Sequence, residues 1–207
     1  MILAIRESSL SVILFALFIV CLVAQSVAGW RLQDETLATH GQAALGYLHY
    51  LATGTYLEGL AANWQAAFLQ LASLIAFSGF LYQRGAPHSR DPRKRRKRRR
   101  KASRVSWLYR NSFFLSFLLL FGLTLVLHVV GGTSADNAER ALAGQPPITI
   151  AAFLFSAKFW STTLQTWQAE YLAIVIYVIL SVFLRQEDSP ESKPVESRNE
   201  TTGKANQ

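Results

Sequence analysis

The sequence predicts an all-α membrane protein: four transmembrane helices arranged as two parallel repeats, each a span, an outer segment and a second span, with amphipathic helices on the outer side. Three observations predict it. Four stretches are apolar, nearly free of charge and long enough to cross a bilayer. The two halves of the chain match at a constant offset of 103 residues. Between the halves lies one block of nine consecutive cations: Arg93, Lys94, Arg95, Arg96, Lys97, Arg98, Arg99, Arg100 and Lys101.

Composition points the same way. The chain has 207 residues, 51% hydrophobic and 16% charged, against about 25% charged in a soluble domain. Its net charge is +8, yet Arg84–Arg104 alone holds twelve Lys/Arg and one acid, Asp91, so this stretch carries +11 and the remainder −3. A nucleic-acid binder with a basic face spreads its charge differently. The single cysteine, Cys21, excludes an intrachain disulfide framework. It sits in an apolar run, where a small buried hydrophobe is expected.

The first span is read at about 9–28, SLSVILFALFIVCLVAQSVA, twenty residues without charge. Small residues at Ser26 and Ala28 also fit a cleaved signal peptide. Arg31–Asn63 has few charges and leucines at roughly helical spacing, which predicts an amphipathic helix at the interface. The second span is read at about 64–82, bracketed by Trp64 and Tyr82 as interfacial aromatics. Pro87 and Pro92 forbid its continuation. Trp107–Arg110 forms an anchor before the third span, about 112–131, the most apolar stretch of the chain. Pro146-Pro147 followed by Thr149 marks a helix start. The fourth span is read at about 167–185, with Glu170 in its first turn. Residues 187–207 are polar and predict a disordered tail.

Sliding residues 6–83 onto 109–186 without a gap gives 19 identities in 78 positions. Gly29 falls on Gly132, Gly41-Gln42 on Gly144-Gln145, and Trp64-Gln65-Ala66 on Trp167-Gln168-Ala169. Shared leucine inflates any comparison of apolar segments, but these polar and aromatic matches lie outside that effect. Duplication is predicted, with repeat 1 over 1–83, a basic linker over 84–106 and repeat 2 over 107–186. The first span then corresponds to an internal one, so it reads as a retained span and not a leader. Two spans per repeat is an even number, which makes the repeats parallel and relates them by a pseudo-two-fold axis along the membrane normal. The Lys/Arg bias puts the basic loop, and with it both termini, in the cytoplasm. The outer segments carry only Arg31, Arg140 and Lys158 as Lys/Arg, which agrees.

Polar residues at membrane depth are the candidate functional ones. Gln25 and His128 are equivalent at the offset, and Glu170 belongs near the same outer level. Together they form a candidate intramembrane polar site. The plainer reading, hydrogen bonding at the interface, is preferred because both lie close to the expected boundary. Gln70 reads as an interhelical hydrogen bond, and Ala72, Ala76 and Gly79 as a small-residue face for close packing, within the chain or in a homo-oligomer. The four histidines, His40, His49, His88 and His128, lack metal-ligand spacing. No catalytic constellation or phosphate loop is present, so a non-enzymatic protein without cofactor or metal is expected. Residues Arg93–Lys101 are expected to contact anionic lipid headgroups. Specific nucleic-acid binding is not expected, because no aromatics interleave the cations.

The chain resembles a family of uncharacterised bacterial multi-pass membrane proteins, catalogued as a domain of unknown function. The resemblance rests on Ala28-Gly29-Trp30, His40-Gly41-Gln42, Ala62-Asn63-Trp64-Gln65 and Phe80-Leu81-Tyr82-Gln83-Arg84-Gly85 in the first half. In the second it rests on His128-Val129-Val130-Gly131-Gly132, Gly144-Gln145-Pro146-Pro147 and Phe183-Leu184-Arg185-Gln186. It implies a bacterial inner-membrane protein and supplies no activity. The function expected is a structural or interaction role. The alternative is a small transporter or channel with its polar site near Gln25 and His128.

Overall fold

The structure, a computed structural model, describes residues 8–89 and 106–203; the basic run Arg93–Lys101 lies outside the described residues. The described residues are 72% helical and contain no strand. In chain order their helices are α1 (Ser9–Thr39), α2 (Tyr47–Leu51), α3 (Gly54–Phe80), α4 (Trp107–Arg110), α5 (Ser112–Leu142), α6 (Ile150–Leu154) and α7 (Ala157–Phe183). The bounds of α5, α6 and α7 each lie 103 residues beyond those of α1, α2 and α3. The long helices α1, α3, α5 and α7 are the four apolar enough to cross a membrane.

These helices are longer than the predicted spans. At about 1.5 Å per residue they reach roughly 40–46 Å, against about 30 Å of hydrocarbon. The outer segments are therefore not separate amphipathic helices. Arg31–Thr39 continues α1, and residues 54–63 are the first turns of α3. Nothing between Arg31 and Ala38 breaks a helix, and its polar side chains suit an exposed one. Between the long helices remains a five-residue helix in each half, α2 and α6.

The same local devices end and restart the helices in both halves. Gly41 and Gly144 both have φ +67°, the left-handed conformation that closes a helix. Behind Gly41, the amide of Gln42 donates to Leu37 O at 2.9 Å; behind Gly144, the amide of Gln145 donates to Arg140 O at 2.8 Å. The Leu45 amide donates to Asp34 Oδ1 and the Ile148 amide to Asn137 Oδ1, each at 2.7 Å. The returning helices start on hydroxyl caps. Thr53 accepts from the Tyr56 amide at 3.3 Å and Ser156 from the Phe159 amide at 3.1 Å. Thr149 caps α6 by accepting from the Ala152 amide at 3.1 Å.

The chain divides into two compact units. The first comprises the chain up to Leu60 and Leu127–Leu154; the second comprises Ala61–Val126 and the chain from Phe155 onward. In the first, the start of α3 crosses α5 at very short range. A Cβ built on Gly54 would lie 2.6 Å from Gly131 O and 2.7 Å from the Ala135 amide nitrogen. Only glycine permits that approach of backbone to backbone.

In the second unit, α3 and α7 are joined by two hydrogen bonds. Gln70 Nε2 donates to Glu170 O at 3.1 Å, and the Ser73 and Tyr171 hydroxyls bond at 2.9 Å. Phe117 and Phe121 of α5 pack on Phe68 and Trp167, with ring centroids 6.3 and 6.2 Å apart. Of the predicted small-residue face, Ala72 is buried, whereas Gly79 has nothing within 4 Å of a built Cβ. Cys21 is exposed on α1, not buried; across a bilayer such a position meets lipid, which suits a thiol as well as a core does.

The tail also differs from the free coil that its composition predicts. Up to Gly203 it is held by hydrogen bonds to the segment that follows α3. Gly85 donates its amide to Thr202 Oγ1 at 2.9 Å, Gly203 donates its amide to Ala86 O at 3.1 Å, and Arg84 pairs with Glu200 at 3.0 Å. Lys193 is buried and points inward. Its Nζ donates to the carbonyls of Asn199 at 3.0 Å, Thr201 at 3.3 Å and Arg198 at 3.5 Å. Burial, and then the charge of Arg185, pull its pKa below the ordinary lysine value. Lys193→Met removes the donor for three carbonyls, a loss of about 1–3 kcal/mol. Cleavage of the tail by a glutamate-specific protease is then expected to speed up about tenfold, with the four long helices unaffected.

Candidate functional site

The polar groups of the first unit gather along the C-terminal half of α1, the start of α3 and the end of α5. Ser26 on α1 is buried; its hydroxyl donates to Val23 O at 2.8 Å and bonds the Tyr47 hydroxyl at 2.7 Å. One turn on, the Tyr50 hydroxyl lies against Gly29, where a Cβ would displace it. Trp30 Nε1 donates to Leu45 O at 2.6 Å, and its ring meets Tyr47 edge-on at 5.7 Å. The Tyr50 and Tyr56 rings are 5.4 Å apart. Burial, and then the neighbouring Tyr56, raise the Tyr50 pKa above the usual phenol value, so it serves as a neutral donor and acceptor at physiological pH.

His128 on α5 is fully buried. One turn further along α5, a Cβ on Gly132 would lie 3.1 Å from the Glu58 carboxylate and 2.5 Å from the ring of Phe153. On the other side of Glu58, a Cβ on Gly59 would lie 3.8 Å from Gln25 Nε2. Glu58-Gly59 of α3 therefore has Gln25 of α1 on one flank and Gly131-Gly132 of α5, a turn from His128, on the other. The crossing has the Glu58 carboxylate at Gly132 and the Gln25 amide near Gly59, with His128 buried a turn away along α5. These groups can hold a polar ligand or pass a proton; nothing in them forms a nucleophile with its base.

Of the predicted site residues, Gln25 and His128 lie in the first unit and Glu170 in the second. His128 is enclosed, whereas Gln25 is exposed. Glu170 is partly buried, and its backbone carbonyl accepts from Gln70. Trp167, three residues before Glu170, packs its ring on Phe121. The histidines occupy separate places. His40 Nδ1 bonds Thr36 O at 2.8 Å, His49 is on α2, and His88 Nε2 meets the Tyr177 hydroxyl at 2.5 Å.

Sequence reasoning missed Glu58 and the tyrosines, because residues 31–63 read as an interfacial segment. One signal was available: Gly54 and Gly59 flank Glu58, and Gly131-Gly132 precede Ala135, both patterns of close helix packing.

A family model described as Domain of unknown function (DUF6766) matches residues 1–204. The chain belongs to that family. The match takes in both helical sets, so the DUF6766 unit includes the Glu58 crossing and the tail held by Lys193. No curated protein and no solved structure matches this DUF6766 chain.

Proposed function

We propose that this chain is a duplicated four-span membrane protein with a structural or interaction role and no catalytic activity. In this reading it lies in the bacterial inner membrane with both termini and the basic loop in the cytoplasm. Recurrence at 103 residues is the observation that carries the duplication. It covers helix bounds, the two φ +67° glycines, the Asp34 and Asn137 bonds and the hydroxyl caps. A chance match of apolar runs has no reason to repeat these. Parallel repeats follow from an even number of spans in each. The nine cations then face anionic headgroups, at about 1 kcal/mol each near the surface.

A second reading, a small transporter or channel, has one observation in its favour. His128 is enclosed in the protein, beside the crossing that carries Glu58, and an ionisable residue in such a place is often functional. Proton flux into proteoliposomes under an imposed potential separates the two. The structural role expects no flux above protein-free vesicles. Flux that His128→Asn abolishes, with the fold intact, would establish the transporter instead.

A further inference from the structure

The offset of 103 continues past the long helices, into the loops that follow them. Gln83, Pro87 and Ser89 after α3 correspond to Gln186, Pro190 and Ser192 after α7. Both loops close on the same bond. Ser89 Oγ accepts from the Gln83 amide and Ser192 Oγ from the Gln186 amide, each at 2.9 Å. Gly85 and Asp188, equivalent again, both take a positive φ, +83° and +59°.

His88 of the first loop corresponds to Glu191 of the second, and these two side chains meet. His88 Nε2 lies 3.3 Å from Glu191 Oε2. A residue that touches its own equivalent lies on the two-fold axis relating the two copies. Identical residues there would set imidazole against imidazole or carboxylate against carboxylate. One of each attracts instead. Tyr177 of α7 joins them: its hydroxyl donates to Glu191 Oε2 at 3.1 Å and lies 2.5 Å from His88 Nε2. The single phenol proton goes to the carboxylate, so Nε2 donates to the phenol oxygen. A second proton, on Nδ1, charges the ring.

We propose that His88 and Glu191 form a proton-sensitive clasp between the ends of the two repeats, closed on acidification and loosened at alkaline pH. Tyr177 from α7 and Glu191 from the tail are the titratable groups that face His88. Of the neighbouring charges, Arg84 pairs with Glu200, Arg185 donates to Ser197 O and Asn199 Oδ1, and Lys193 donates to three carbonyls. Imidazole gains its charge as pH falls from about 8 to 5, a range in which carboxylates stay ionised. The charged ring attracts Glu191, whereas the neutral ring keeps only its bond to Tyr177. Opening releases the tail, and with it Arg84 from Glu200. The contact stands on geometry alone; the equivalence of positions 88 and 191 rests on the duplication proposed above.

The test uses the full chain in membranes and follows cleavage at Glu196 by a glutamate-specific protease, a site that every variant keeps. Cleavage tracks opening of the tail. Comparing wild type with His88→Gln at each pH cancels the protease's own response to pH. Both side chains of the pair are partly exposed, which holds the effect to a few-fold. Wild type is expected to be cut about threefold more slowly than His88→Gln at about pH 6, and at the same rate at about pH 8. His88→Glu and Glu191→His, which set like groups together, are each expected to be cut faster than wild type at the lower pH. The exchange variant His88→Glu/Glu191→His is expected to return to within about twofold of wild type. A wild-type to His88→Gln ratio that does not change with pH, or an exchange variant cut as fast as the single variants, overturns the proposal. Failure of the four-span, non-catalytic reading would show in cysteine labelling and proton flux and would leave these ratios unchanged.

Discussion

Gly131→Ala and Gly54→Ala are each expected to prevent stable folding, although each adds a single methyl group. At Gly131 the new Cβ lies 2.8 Å from the Glu58 amide nitrogen and about 3 Å from the Leu57 side chain. At Gly54 it meets Gly131 O at 2.6 Å and Ser134 Cβ at 2.5 Å. Backbone atoms cannot swing aside, so α3 and α5 must separate. Overpacking of this kind costs about 1–3 kcal/mol in a core that yields, and more where two helix backbones are in contact. Gly122→Ala is the control on the same helix. Nothing lies within 4 Å of its built Cβ, and alanine favours helix over glycine by up to about 1 kcal/mol. Thermal unfolding in detergent should show Gly122→Ala at or above the wild type and the other two far below it. Equal behaviour of the three would mean that the crossing does not exist.

Phe153→Ala is expected to destabilise the protein by about 3 kcal/mol. Phe153 has no exposed surface, and its ring covers Gly132 in the way that Tyr50 covers Gly29. At this chain length the loss corresponds to a fall in Tm of about 10 °C. Gly132→Ala alone is also destabilising, since its Cβ would lie 2.5 Å from the ring. The two changes share one space, so the double variant should be better than their sum by at least about 1 kcal/mol. Strict additivity would contradict the contact.

How far the sequence carries depends on which parts are local. The four spans were legible because uncharged runs of this length have one stable environment. Gly41-Gln42 and Gly144-Gln145 were legible as a repeated pair, and the φ of +67° gives the reason for glycine there. The extension of α1 and α3 beyond their apolar runs was not legible. Charges such as Asp34 and Glu35 mark the edge of hydrocarbon, but they do not end a helix. Glu58 was missed because its position depends on the crossing of α3 and α5, some seventy residues apart in the chain. The held tail was missed because composition reports few large apolar residues and cannot report that Lys193 is satisfied by three carbonyls.

The central claim is two parallel two-span repeats joined by a cytoplasmic basic loop. Cysteine accessibility in intact cells tests it most directly, with a maleimide that does not cross membranes and Cys21→Ser as background. Leu48→Cys and Ala151→Cys, exposed and 103 residues apart, should both label from outside. Arg95→Cys and Glu196→Cys should label only after the membrane is permeabilised. Labelling of residue 95 from outside, or labelling of only one of residues 48 and 151, would contradict the account.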